Sequence, residues 1–454
     1  MNSQHPLLDL DGLDLEAKAR RISDHFLALH DHPSDIFYSL MKIDGDEIRA
    51  FQPSDFEGVT TFDFKGWRIK PAGSWEYRNN ENSLTTAGYW LAAQVERYHV
   101  TGEADALHHA SRAYRCLEAI YKFGEEDGRP GWMGKPYGFK LSDQTSGDQY
   151  LFAAWGLAEY AKIAPEKEAT RSREMLVGMA NYWKQIDYKI FYLDHVWDNR
   201  KNLHAYNAIF VYLNTIAYDI TGLEEYLNEA RHFREVGLWD HETTLDKWKR
   251  DAATKDSNEY PPNRIVGDQL KPGEYLCWET TIHSMFTAVS AAGVHQMLPE
   301  LVDKDSLACT LKVWLEPWTL GVEDDLLPYY FFLVNLNEGT WRPAPHSPKL
   351  PRSEWFLGQP GLSQTTTRRW TEPLGRTLVT AMLAGVHSPE VADEAKSVAK
   401  SIMESINGTR MQWQIDPDGK QIPPDRHDVI NTLSSEIPSA YVFSFWRGRR
   451  LDWW

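Results

Sequence analysis

Cysteine is nearly absent from this chain: Cys116, Cys277 and Cys309 are the only three in 454 residues. None belongs to a C-x-x-C pair or stands at metal-ligand spacing from a histidine, so neither a disulfide framework nor a structural zinc site organises the fold. Long hydrophobic runs are missing too. No stretch approaches the roughly 20 apolar residues that a membrane helix needs. The opening residues Met1-Asn2-Ser3-Gln4-His5-Pro6 have neither the basic segment nor the apolar core of a secretory leader. The expectation is a soluble, cytoplasmic protein with no membrane partner. Positive charge is also in short supply. With 48 Lys and Arg against 65 Asp and Glu, the formal charge is −17, which leaves no basic surface to displace counterions from a polyanion and excludes nucleic acid as the main partner.

What the chain does have is aromatic mass and a repeated helical grammar. The 19 Trp and 21 Tyr can fill a large core or stack on sugar rings. Residues Leu15 to His30 space their apolar side chains as an amphipathic helix. From Ile43 to Arg78 the text is rich in Gly, Pro and aromatics without a sustained period, and reads as a long surface loop with room for short strands. A helix then starts at Asn79-Asn80-Glu81-Asn82-Ser83, carries small apolar residues through Tyr98, and stops at Thr101-Gly102. A more charged, amphipathic helix follows at once.

That couplet recurs. It returns as Gly147–Ile163 with Lys167–Ile186, as His204–Ile220 with Leu223–Val236, between Trp278 and Trp318, and from Leu374 to Ile406; a single apolar helix closes the series near Ser434–Trp446. Each time a polar turn with Asn, Asp, His or Glu leads into an apolar helix, and a charged helix comes back. With the first helix as partner of the last, this makes six hairpins, and a two-layered closed ring is the economical way to bury six apolar helices without a sheet. The fold expected is all-α: an (α/α)6 toroid in one domain over residues 1–454, with 1–78 as an N-terminal helix and irregular extension. Short hairpin loops make the inner helices parallel, so their polar turns gather at one end.

The densest of those turns is Ser142-Asp143-Gln144-Thr145-Ser146-Gly147-Asp148-Gln149-Tyr150. Ser146 and Gln149 have capping-box spacing, which starts the helix at Gly147. Asp143 then lies just outside it, and Asp148 falls in its first turn, where the helix dipole favours an anion.

These couplets and acidic turns resemble the six-hairpin glycosidase superfamily, and the Ser142–Tyr150 run is similar to the Asp-Ser-Ser-Asp-Gln type of motif in uronic-acid glycosidases. The resemblance implies the toroidal fold and hydrolysis of sugars, with polysaccharide lyases and N-acylglucosamine epimerases as relatives of the same shape. Fold alone does not choose among these.

Glycoside hydrolysis needs two carboxyl groups about one bond. The candidates on polar turns are Asp143, Asp148, Glu81 and Glu279. Asp143, a loop acid beside a second acid, is the first choice for the general acid, because desolvation and like charge raise a carboxyl pKa. Asp148 suits a base or charge stabiliser; Glu81 and Glu279 hold the matching turns of the first and fourth units. Each also reads simply as a helix-start acid. His204 and His283, near the starts of the third and fourth inner helices, are the pair an epimerase or isomerase would use for proton shuttling, or they serve as hydrogen-bonding residues. A lyase would take Tyr150 or a histidine as base. Arg368 and Arg369, next to Trp370, offer bidentate contacts for a sugar carboxylate. Trp278, Trp341 and Trp370 are candidate stacking faces, Trp341 within a Pro-rich insertion of the kind that edges a cleft. The scheme requires no cofactor and no metal. The expected partner is an oligosaccharide carrying a uronic acid, and nothing in the sequence opposes assembly into a homo-oligomer. A catalytically silent glycan-binding toroid is the third class of function.

Overall fold

The computed structural model describes residues 4–58, 64, 66–192, 195–200, 206–236, 242–254, 271–278, 281–324, 331–343, 373–408 and 432–454. Helices dominate among them. Six apolar helices form an inner ring: α3 (Ser83–Thr101), α5 (Gly147–Tyr160), α7 (Tyr206–Thr221), α10 (Thr281–Met297), α12 (Pro373–His387) and α14 (Glu436–Arg450). Each packs on the next, and α14 packs back on α3 to close the circle. The outer layer is α4 (Ala104–Glu126), α6 (Glu166–Gln185), α8 (Glu224–Val236), α11 (Lys304–Asp324), α13 (Ala392–Ser405) and, from the start of the chain, α1 (Leu15–Leu29), which lies on α14. This is the expected all-α toroid.

Local chemistry explains the hairpins. Thr101-Gly102 and Thr221-Gly222 end two inner helices in the same way. Each threonine hydroxyl donates to the carbonyl four residues back and accepts the amide two residues on. Each glycine takes a left-handed φ, 64° and 68°, which costs glycine nothing sterically. Close approach of α3 and α5 needs glycine for another reason. A Cβ on Gly88 would lie 2.1 Å from the Phe152 carbonyl oxygen. The ring is closed on the outside by Lys18 of α1, whose buried ammonium donates to the carbonyls of Glu404 (2.8 Å) and Ile406 (2.7 Å) at the C-terminal end of α13, where orphan carbonyls and the helix dipole favour a cation.

The inner helices run parallel, as pairings at like levels show. Gln149 in the first turn of α5 donates to Asn82, the residue before α3, at 2.9 Å. Tyr150 of α5 and Phe210 of α7 both pack against the Trp183 ring, at 5.1 and 4.9 Å. Arg376 near the start of α12 pairs with Glu436, the first residue of α14. Below that level the middle of the ring is filled: Tyr89, Phe152, Trp155, Phe286 and Phe443 contact one another with centroids 5.0–6.5 Å apart. The toroid therefore has an aromatic centre, and the first turns of its inner helices share one end of the ring, called its mouth below.

Several expectations need correction. The segment from Ile43 to Arg78 is more ordered than a surface loop. It contributes α2 (Ser74–Asn80) and pairs β1 (Leu40–Asp44) with β2 (Glu47–Arg49) on one side. On its other side β1 pairs with β8 (Thr432–Ser434), which runs into α14. Phe51, Phe56, Phe64 and Trp67 are buried in two satellite cores, which is why that stretch is so aromatic. Ahead of α7, where no strand was expected, β3 (Lys189–Tyr192) and β4 (His195–Asp198) form a hairpin. A helix α9 (Thr244–Thr254) and a sheet of β5 (Glu274–Trp278), β6 (Phe331–Asn335) and β7 (Thr340–Pro343) interrupt the couplets. No helix among the described residues is long and apolar enough to cross a membrane.

Candidate functional site

The loop from residue 131 to 146 lays its polar run across the mouth and is pinned from inside. Tyr150, with no exposed surface, donates its hydroxyl to the Gly131 carbonyl at 2.9 Å and accepts the Met133 amide at 2.8 Å. The Lys135 amide donates to the Gln144 carbonyl at 2.7 Å, and the Thr145 hydroxyl to the Met133 carbonyl at 2.7 Å. Burial holds the Tyr150 phenol well above its ordinary pKa, and its hydroxyl is spent on the loop backbone, so the structure gives Tyr150 an architectural part where a lyase base or substrate contact was expected.

Asp143, expected as a protonated general acid, is held as an anion by two arginines instead. Arg68 grips it in a two-pronged contact, Nε to Oδ2 at 2.8 Å and Nη2 to Oδ1 at 2.6 Å, with Arg129 3.5 Å away. These guanidinium groups lower its pKa against the opposing effect of partial burial. The like-charge argument failed because two cations, one from the irregular segment and one from the loop, outweigh the neighbouring acid.

The helix does start at Gly147, but not through a capping box. Ser146 makes no side-chain cap, and the Gln149 amide reaches sideways to Asn82 instead of back along its own helix. Asp148 is half-buried in the first turn, and its Oδ1 is shielded from solvent with no hydrogen-bond partner. The other end of the Gln149 amide is in the same condition, in a side chain with no exposed surface. On the adjacent inner helix, Asn207 in the first turn of α7 is fully buried and neither atom of its amide has a partner. Thr85 and Thr86 in the first turn of α3 add two unpartnered hydroxyls. Such groups cost about 1–3 kcal/mol each unless water or a ligand satisfies them, and here they gather at one end of neighbouring helices.

Glu81 presents the opposite picture. It stands between α2 and α3, 7% exposed, with both oxygens occupied. Oε1 accepts the Lys135 ammonium and, at 2.7 Å, the Tyr192 hydroxyl, while Oε2 accepts the Tyr137 hydroxyl. Lys135 is 1% exposed and lies over the Tyr192 ring at 4.8 Å. Burial first and the Glu81 carboxylate second push the Tyr77, Tyr137 and Tyr192 phenols far up. This knot ties the β3–β4 hairpin to the α2–α3 junction. Asn82 and Gln149, the residues that follow Glu81 and Asp148, are hydrogen-bonded to each other, so the two carboxylates belong to one region.

Trp341 packs on Trp248 and Phe332 at 5.0 and 5.6 Å in a satellite core on the three-stranded sheet, which explains its aromatic neighbourhood without a ligand. Trp278 ends β5, opposite Phe331, and His283 is the third residue of α10. His204, Glu279, Arg368, Arg369 and Trp370 lie outside the described residues. Lys135, Tyr137, Tyr192 and Asn207 were missed by sequence reasoning. For Asn207 a signal existed, a polar residue in the first turn of an otherwise apolar helix; for Lys135 and the tyrosines the cluster draws on three separate segments, and no spacing announces them.

No protein-family model matches this chain, and no curated protein sequence does either. Among solved structures the chain is similar to a D-mannose isomerase, with a TM-score of 0.51 at 13% identity over 96% of this chain and 97% of that one. It is also similar to an unsaturated glucuronyl hydrolase from Streptococcus agalactiae, with a TM-score of 0.47 at 10% identity over 98% and 96%. A sugar epimerase from a ruminal bacterium gives 0.45 at 13% over 87% and 86%. At 13% identity the isomerase match speaks to the fold alone.

Proposed function

We propose that this chain is a glycoside hydrolase acting at the mouth of the ring, with Asp148 as the working base or nucleophile. The observation that carries the reading is the Asp148 carboxylate: half-buried in the first turn of an inner helix, with a shielded oxygen that no protein group claims. A carboxylate kept open in this way is ready to accept a proton or to attack. The helix N-terminus supports its negative charge.

The second carboxylate is Glu279, two residues ahead of α10 in the chain. Asp143 is held ionised by arginines and Glu81 has no oxygen to spare, so neither suits a proton donor. Helix α10 packs its Phe286 on Phe152 of α5 at 5.9 Å, which supports pairing an acid from the start of one with an acid from the start of the other. Arg368, Arg369 and Trp370 supply the recognition of an acidic sugar, through bidentate guanidinium contacts and ring stacking. The substrate class is an oligosaccharide bearing a uronic acid.

The test is incubation with matched uronic-acid and neutral glycosides, with new reducing ends as the readout. Release of reducing ends from the acidic series, lost in Asp148→Asn, is the expected result. Conversion without change of mass and with solvent deuterium taken up at carbon would overturn hydrolysis in favour of an isomerase or epimerase working through His204 and His283. An ultraviolet-absorbing unsaturated product would point to a lyase, and saccharide binding without turnover to a glycan-binding protein.

A further inference from the structure

We infer that the cavity between the N-terminal extension and the loop of residues 131–146 is a small-anion site, in which Lys70 and Lys140 hold the oxyanion of a hydroxylated acid, a carboxylate or a phosphate ester. The site is separate from the arginines proposed for substrate recognition, and it does not require that the ring hydrolyse glycosides.

The cavity measures about 130 Å³. That is close to the roughly 150 Å³ in which one benzene molecule fits, so it takes one ring-sized group and not a chain. Ile69 from the extension and Leu141 from the loop give it apolar surface. Its polar groups divide into those the protein has already used and those left open. The Tyr137 hydroxyl donates to Glu81, and the Ser142 hydroxyl donates to the Gln144 carbonyl and accepts the Gln144 amide, both at 3.2 Å. Glu76 accepts the Ala72 amide on Oε2 at 2.7 Å, and its carboxylate lies so near Gly138 that a Cβ there would stand 2.6 Å from it. Glu76 Oε1 and the ammonium groups of Lys70 and Lys140 make no hydrogen bond or ion pair among the described residues.

The neighbouring acids do not neutralise these lysines. Asp143, three residues after Lys140, is held by Arg68 and Arg129, and Glu81 is held by Lys135. What the cavity leaves open is therefore two cations and one carboxylate oxygen. An oxyanion satisfies the cations, and a hydroxyl beside it can donate to Glu76. A cationic ligand would meet two ammonium groups, and a neutral sugar would leave them without a counter-charge. A chain with a formal charge of −17 repels small acids over most of its surface, so two uncompensated lysines on one cavity give such an acid a place to lodge. Lysine acts as a point charge, without the planar fork by which arginine selects a carboxylate, so carboxylate and phosphate are both admitted and the experiment separates them.

The experiment is calorimetry on the full chain with D-glucuronate, D-glucose 6-phosphate and D-glucose, for the wild type, Lys70→Met, Lys140→Met and the double variant. Both lysines are exposed, so these variants should keep the wild-type melting temperature. The expected result is that at least one acid binds, that D-glucose does not, and that 0.5 M NaCl weakens the binding by screening it, roughly as the short Debye length at that salt requires. Each single substitution should weaken the acid about three- to tenfold, the low end for a charge-assisted hydrogen bond because the lysines face water, and the double variant should abolish binding. The tighter of the two acids identifies the oxyanion. Glu76→Gln removes a like charge and keeps an acceptor, so affinity should hold or rise; a tenfold fall would overturn the reading of the ligand as an anion. Acid binding unchanged in the double variant overturns the site, and if that binding is lost in Arg368→Ala or Arg369→Ala instead, it belongs to the proposed substrate site and the hydrolase reading stands. Lysine-dependent acid binding in a protein that releases no reducing ends supports the site and sinks hydrolysis. A wild type that binds neither acid overturns the site, whatever the glycoside panel shows.

Discussion

Asp143 and Asp148 lie five residues apart in one polar turn, and the structure treats them in opposite ways. Both oxygens of Asp143 are taken by arginines; an oxygen of Asp148 is shielded from water and left with nothing. Glu81, in the same region, sides with Asp143, its carboxylate filled by Lys135 and two tyrosines. These two acids, tied into the architecture, have both oxygens engaged by protein. An acid that meets a substrate has to leave some open, at a cost to stability. Proximity in sequence does not separate these two kinds; the census of partners does.

The comparison breaks most visibly at Asp148. Asp148→Asn should lower turnover by roughly 10²–10⁴-fold, the contribution of a positioned acid or base, with a melting temperature equal to or above that of the wild type. Loss of stability with activity intact would return Asp148 to the role of a helix-start residue.

The saturated side of the comparison predicts the reverse. Lys135→Met leaves the Glu81 carboxylate buried without its cation and should cost about 3–5 kcal/mol in urea unfolding, the usual price of orphaning one partner of a buried pair. Because the cluster links the hairpin to the α2–α3 junction, Tyr192→Phe should give a milder version of the same loss. Full stability in Lys135→Met would remove the argument that Glu81 is architectural and restore it as a catalytic candidate.

Arg368→Ala and Arg369→Ala extend the test to the rim. Each should weaken acidic substrates by roughly 1.5–3 kcal/mol, the worth of a charge-assisted hydrogen bond, and spare neutral ones. An unchanged ratio of acidic to neutral turnover in both folded variants would remove the uronic-acid assignment.

A further contrast concerns pH. His30, with no exposed surface, accepts the Tyr38 amide at 3.1 Å and stacks on Phe37. Burial, reinforced by Arg112, lowers its pKa to about 3. The unfolded chain binds this proton below about pH 6.5 and the folded one does not until about pH 3, so stability falls as pH drops through that window. Between pH 6.5 and 5 the loss from His30 is about 2 kcal/mol; burial lowers His109 and His387 to about 4 in the same sense. A flat unfolding free energy from pH 7 to 5, or a His30→Gln variant with undiminished pH dependence, would contradict this.

Much of the fold was legible because the inner and outer helices differ in composition and the couplet repeats: Gly147, Thr101-Gly102 and Thr221-Gly222 mark boundaries where the structure has them. Short strands had room near Ile43, but the strand pairings were not legible, since β1 and β8 pair across almost the whole chain and β3–β4 is too short for its alternation to stand out. At the mouth, the polar turns announced where to look. They did not reveal what each acid does, because the deciding partners of Asp143 and Glu81, namely Arg68, Arg129, Lys135, Tyr137 and Tyr192, come from distant turns that only the closed ring brings in.

Asp143→Asn is the finest probe of this distinction, and the effect expected is the smallest. Arg68 is 72% exposed on its side chain, so the pair is screened by water and contributes little to stability. The Asn side chain keeps the shape and can still accept from one arginine. Turnover should therefore stay within a few-fold of wild type, and the acid limb of the rate profile should not move, since Asp143 is held below the ordinary carboxylate range and is already ionised there. A strong loss on ordinary glycosides that an activated leaving group restores would mean the opposite: a proton had been delivered from this position, the arginine pair opens during turnover, and the resting partners of a carboxylate do not foretell its role.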